Sequence, residues 1–217
     1  AMPSSEAKAL RKAYLDARDQ LAAGNLTRGQ IASILRLPDA SARDAAIASI
    51  SRGNAVRAES LSAIVKANDE LEAARKAYDE FNQRLKQADE ALQKIPADAK
   101  EAREENQKHQ QDLLAEFVPV TRRYNQATRA YNLAVDKLLD TNIDPGQLDR
   151  ILSLPLVPTK GSQVADASSS LNYREPALAK LLADQPGRKA DIEAVVSAYE
   201  NYSKVKGSLD DPNDLIT

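Results

Sequence analysis

The chain has 217 residues, with 30 Lys/Arg against 32 Asp/Glu, one His, no Trp and no Cys. A formal charge of −2 removes the electrostatic case for nucleic acid as a partner. The missing cysteines exclude disulfides, thiol nucleophiles and thiolate metal sites, and no apolar run approaches the ~20 residues of a membrane-spanning helix. Charge is uneven: residues 1–57 carry nine basic and five acidic side chains, and residues 58–115 nine and thirteen. The basic excess is spread along helix faces and reads as solvated surface.

Ala, Leu, Glu, Gln, Lys and Arg dominate, with only seven glycines. These side chains lose little freedom in a helix, and the period-2 alternation of strands is absent. The expected fold is all-α.

Ala1-Met2-Pro3 reads as residual sequence ahead of a trimmed native start. That leaves room upstream for a signal or lipoprotein segment, and so for a lipid anchor. The opening helix is expected from Ser5 to Ala23, with Ala7, Leu10, Tyr14, Ala17 and Leu21 on one face and Gly24 as its stop. A capping box follows: Thr27 caps, and Gln30 reaches back three residues later. The short helix it opens ends before Leu37-Pro38, because proline disfavours helix in the residue ahead of it. Another short helix starts near Ser41 and ends near Gly53.

The closing helix is expected over Ala55–Lys94. Ile64, Leu71, Tyr78, Leu85 and Leu92 keep a seven-residue step, and Ala67, Ala74, Phe81, Ala88 and Ile95 interleave with them. That is a coiled-coil seam. Pro96-Ala97-Asp98-Ala99 breaks it, and the chain re-enters helix. Leu113, Phe117, Val120, Tyr124, Ala127, Tyr131, Ala134 and Leu138 carry the spacing on, with Pro119 expected to kink this arm or restart it. So short a loop between long helices makes them antiparallel neighbours.

Shifted by 117 positions, residues 12–38 fall on 129–155 without a gap. Twelve of the 27 pairs are identical, among them Tyr14/Tyr131, Asn25/Asn142, Gly29/Gly146, Gln30/Gln147 and Pro38/Pro155. The second copy repeats the cap, with Asp144 capping, Pro145 in the first turn and Gln147 expected to repeat the reach. The offset continues at Arg57/Arg174 and Leu61/Leu178. A four-residue insertion then raises it to 121, and Ala77-Tyr78-Asp79-Glu80-Phe81 meets Ala198-Tyr199-Glu200-Asn201-Tyr202. The expected architecture is an internally duplicated helical bundle with a long central antiparallel coiled-coil hairpin and short capped helices. Residues 5–95 form the first repeat unit and 98–206 the second, in one pseudo-symmetric body that shares the hairpin across the 95–99 loop. Residues 156–176 read as irregular, with a short helix around Val164–Ser169. The last helix is expected over Gly187–Lys206, ahead of a frayed tail at Asp210–Asp214.

Reactive chemistry is sparse. His109, the lone histidine, has no second His or Cys with which to hold a transition metal and no serine in a nucleophile elbow to serve. Asp140-x-Asn142-x-Asp144 resembles the start of a calcium loop, but Pro145 stands where glycine is required and Ile151 where the last acid belongs. Acidic pairs such as Glu104/Glu105 and Asp210/Asp211 lie in charged stretches, not across a cleft. No catalytic residue, metal site or cofactor is assigned. Gly29 and Gly146 sit in first helical turns where propensity opposes them. The leading explanation is close packing against another helix, and the functional one is a partner or anion reaching free N–H groups. The tyrosines at seam positions read as core.

The function expected is that of a non-enzymatic helical adaptor for a protein partner, exported or periplasmic and envelope-associated. Its contact residues are Gly29, Gln30, Gly146 and Gln147 at the repeated turns, and Leu92 and Ile95 at the hairpin tip. The second reading is a small-molecule or lipid carrier with a cavity between the repeat units.

Overall fold

A computed structural model describes residues 4–156 and 169–205. Among them are eight α-helices: α1 Ser4–Ala23, α2 Arg28–Leu35, α3 Ala40–Ser51, α4 Ala55–Lys94, α5 Lys100–Leu139, α6 Pro145–Leu152, α7 Arg174–Asp184 and α8 Lys189–Ser203. Short 3₁₀ turns cover Ser169–Asn172 and Pro186–Arg188. The chain is all-α, and α4 and α5 form a long antiparallel pair. The body of the helix suggested around Val164–Ser169 and the tail at Asp210–Asp214 lie outside the described residues, as does Lys206.

The chain divides into two compact units, each drawing on both halves of the sequence. One holds residues 1–30, 54–56 and 139–217, and the other 31–53 and 57–138. In the first, α1 packs along α8, and α6 and α7 close the same core. Ala7, Tyr14, Leu21, Leu148, Leu152, Ile192 and Val195 are buried together. Tyr14 stands edge-on to Tyr199 at 5.5 Å and stacks with Tyr202 at 6.0 Å, geometries that aromatic quadrupoles favour.

The second unit is built on the hairpin. Its arms are 40 residues each, or roughly 60 Å at full helical rise. Burial follows the seven-residue step: Ile64, Leu71, Ala74, Phe81 and Ala88 on α4 are covered, as are Leu113, Ala127, Val135 and Leu138 on α5. Tyr78 stacks on Tyr124 at 5.3 Å. Arg84–Glu116 at 2.6 Å and Arg123–Glu70 at 2.9 Å link the arms. The Arg123 hydrogen bond and then its charge hold the Glu70 carboxyl below its ordinary range. Pairs this exposed add little stability. Pro119 does not end the helix, which runs through it.

Two segments differ from the sequence expectation. α7, Arg174–Asp184, begins inside the stretch read as irregular and covers residues left unassigned after it. Gln185-Pro186-Gly187 separates α7 from α8, since Pro186 lacks the N–H a continuing helix needs. Phe117, expected in the seam, is 41% exposed. Its ring leans on Phe81 at 5.9 Å but stays at the edge.

Asp39 caps α3, whose first residue Ala40 adjoins the expected start near Ser41, with its carboxylate accepting from the Ala42 N–H at 2.7 Å. The helix ends in two left-handed residues, Arg52 at φ 48° and Gly53 at φ 79°. A Cβ at Gly53 would meet nothing within 4 Å. Gly53→Ala therefore isolates backbone strain, and we expect a loss of about 1 kcal/mol in urea unfolding; an unchanged midpoint would show that the turn relaxes.

Candidate interaction surfaces

Within the first unit, the turns that begin at Asn25 and Asn142 meet each other through a reciprocal exchange. The Asn25 amide donates to the Ile143 carbonyl at 2.8 Å and accepts from the Ile143 N–H at 3.0 Å. Asn142 does the same to Leu26, donating at 2.7 Å and accepting at 2.8 Å. Each asparagine serves the residue that follows the other. A side-chain amide has one donating and one accepting end, so it can satisfy both backbone groups of an otherwise unpaired loop residue. This use also occupies the middle of the calcium-like Asp140–Asp144 stretch: Asn142 Oδ1 already holds an N–H.

Four residues beyond each asparagine lies a glycine of the candidate set. At the first turn the capping box is complete, with Gln30 N–H donating to Thr27 Oγ1 at 3.1 Å and Thr27 N–H to Gln30 Oε1 at 2.9 Å. At the second, Asp144 accepts from the Gly146 N–H at 2.9 Å, one residue earlier than Thr27 does. Gln147 does not repeat the reach, because the shorter-range bond to Gly146 displaces the reciprocal geometry of the box. Close packing does not explain the glycines either. A Cβ at Gly29 would meet only Thr27 Oγ1 at 3.7 Å, and one at Gly146 chiefly its own cap, Asp144 Oδ1, at 3.3 Å. Gln30 and Gln147 are exposed.

Gly24 does have a packing role. A Cβ there would stand 2.9 Å from an Arg188 terminal nitrogen, and that guanidinium is the most heavily used polar group in the unit. Arg188, 3% exposed, donates to the Leu21 carbonyl at 2.6 Å, to Asn25 Oδ1 at 2.7 Å, to Asp191 at 3.1 Å and to the Thr141 carbonyl at 3.3 Å. It thereby ties the Leu21 carbonyl, in the last turn of α1, to the Thr141 carbonyl just past the end of α5. Gly24 ends α1 while leaving room for this contact, and its φ is not left-handed.

A second polar cluster joins α1 to α6. The Tyr14 hydroxyl donates to Asp149, Arg18 pairs with the same carboxylate at 2.6 Å, and the Arg18 guanidinium lies 5.8 Å from the Tyr14 ring centre. Burial, then the bond to Asp149, holds the Tyr14 proton well above the ordinary tyrosine range. A phenol so placed is a fixed donor, not a base. Among the described residues no three His, Cys, Asp or Glu side chains gather as a metal-holding group, and His109 is exposed on α5.

At the tip, Leu92 and Ile95 are half-buried. Arg103 donates to the Ile95 and Pro96 carbonyls, each at 3.1 Å, tying down the end of α4. The larger apolar exposure lies elsewhere on the hairpin, where the sequence reading did not place it. Leu114 is 57% exposed, Val118 56% and Leu133 71%, all on α5. A shallow groove of about 420 Å³ runs along this face, lined in part by Phe117, Val118, Arg122 and Arg129. The doublets Leu113-Leu114 and Phe117-Val118 were the available signal, because on a helix only one member of each can face the opposite arm.

The chain matches no known family model, no curated protein and no solved structure.

Proposed function

We propose that this chain is a non-enzymatic helical adaptor that binds a protein partner. The observation that carries the reading is the exposed apolar run on α5: several large apolar side chains on one helix, standing clear of the seam that packs against α4. Leu114 and Val118 lie one helical turn apart, and adjoining apolar side chains exposed on a folded protein mark interaction sites. The polar clusters support the same reading, because Arg188, Asn25, Asn142, Tyr14 and Asp149 are all engaged in holding helix ends and loops together. The reading also takes the chain as two copies of one helical unit, with the α4–α5 pair as a coiled coil. Its support is the run of identical pairs at one offset and the mutual service of Asn25 and Asn142. An exported, envelope-associated setting belongs to the proposal on the cysteine-free composition, and cell fractionation tests it.

The experiment is photo-crosslinking in the native cell. A crosslinking residue replaces, one at a time, Gln30, Gln147, Leu92 and Leu133. The expected result is one discrete adduct with a single protein, identified by mass spectrometry and re-formed from the purified pair. No reproducible adduct from any position would overturn the reading.

A further inference from the structure

We propose that the outward face of α5 is a docking groove for an amphipathic helix whose carboxylates occupy its middle turns. This deepens the adaptor reading and rests on it.

Leu114, Val118, Arg122, Arg129 and Leu133 fall at intervals of four, four, seven and four residues. Those spacings place them on one stripe of a helix, over roughly 29 Å of axis at ordinary rise. The stripe is apolar at both ends and basic between. Arg122 and Arg129 are exposed and line the same groove as Phe117 and Val118. Neither takes part in an ion pair or side-chain hydrogen bond among the described residues, whereas Arg84 and Arg123 on the seam side do. No acidic side chain lines the groove. The nearest carboxylate in sequence to its apolar end, Glu116, is held by Arg84 at 2.6 Å.

Phe117 and Val118 exclude water at one end of the groove, where Thr121, Asn125 and Gln126 supply the remaining neutral lining, and two unopposed guanidinium groups beside them favour planar anions that they can grip in a fork. A partner helix with Leu-type side chains toward its ends and Glu or Asp near its centre satisfies both demands. A helix lying in a groove is recognised through such spaced anchors.

A second copy of the chain satisfies only one of them. Twofold overlap of two such stripes brings Val118 onto Leu133, but it also brings Arg122 onto Arg129 on both sides of the axis. Four cations would then meet with no carboxylate among them, and like charges at an interface oppose association.

The test uses the whole chain and a displayed library of helical peptides of random surface composition, counter-selected on Val118→Asp. Because Val118 and both arginines are exposed, the variants should melt at the wild-type temperature, which separates binding from folding. The expected enrichment is for peptides with apolar ends and acidic centres. These bind the wild type at least tenfold more tightly than Val118→Asp. They also bind it at least tenfold more tightly than Arg122→Glu/Arg129→Glu, and rising salt narrows the second difference. Four results would overturn the proposal: no enrichment, enriched peptides that ignore both variants, a sedimenting dimer that Val118→Asp dissociates, or binding to anionic phosphatidylglycerol vesicles that this variant abolishes. Failure here while Gln30, Gln147 or Leu92 still crosslinks to one protein would remove this groove and leave the adaptor reading standing. Failure of all crosslinks removes both.

Discussion

Arg188→Met should lower the free energy of unfolding by about 3 kcal/mol, more than any cap or surface ion pair in the chain. Arg188 is 3% exposed and donates to four acceptors on three segments. Its loss removes the shorter of two bonds to the buried Leu21 carbonyl, whose other donor is the Gly24 N–H at 3.2 Å, together with a bond to the half-buried Thr141 carbonyl, and a buried polar group deprived of a partner costs about 1–3 kcal/mol. Asp191 is half-exposed and can turn to water, so it adds little. For a chain of this size the loss corresponds to a fall in melting temperature of roughly 6–12 °C. Arg188→Lys should recover only part, because an ammonium group is a single point and cannot span the positions that a planar fork reaches. Thermal melts followed by circular dichroism decide it, and a methionine variant within about 1 kcal/mol of the wild type would show that water replaces the guanidinium.

Phe81→Ala should cost about 3–5 kcal/mol, the range for emptying a buried aromatic site. Phe81 is fully buried with Ala88 and Leu113, and Leu85 and Val120 pack against them. Its neighbour across the hairpin supplies the control. Phe117 is 41% exposed, and Phe117→Ala should cost about 1 kcal/mol or less. Urea titrations of the two variants measure the contrast directly. Near-equal losses would mean that the two rings share burial evenly, contrary to the packing seen.

Much of this was legible in the residues. α4 has the bounds expected of it, Ala55–Lys94, because a strict seven-residue step continues until Pro96. The Thr27–Gln30 box was legible for a similar reason: both ends of the interaction lie within one helical turn. What escaped were features that depend on tertiary proximity. Arg188 falls opposite Ala67 or Leu71 at the two offsets of the sequence self-match, so that match did not mark it. Asn25 and Asn142 were visible as an identical pair, yet identity does not say that each serves the other's neighbour. Phe117 fits the heptad spacing, and spacing cannot show that the facing arm offers it only the edge of Phe81. The exposed stripe on α5 was hidden in apolar doublets, where one member's burial masks the other's exposure.

The Asn25–Asn142 exchange has a consequence for how this protein can vary. Four hydrogen bonds clamp two loops that lie more than a hundred residues apart, and most of the intervening chain is the two arms. The clamp makes no use of the outer turns of those arms. Between Tyr78 and Tyr124, matched seven-residue segments can be taken from or added to both arms with the seam kept in phase and the clamp untouched. The hairpin is in that sense a ruler. Its length is an adjustable dimension, changed in steps of about 10 Å.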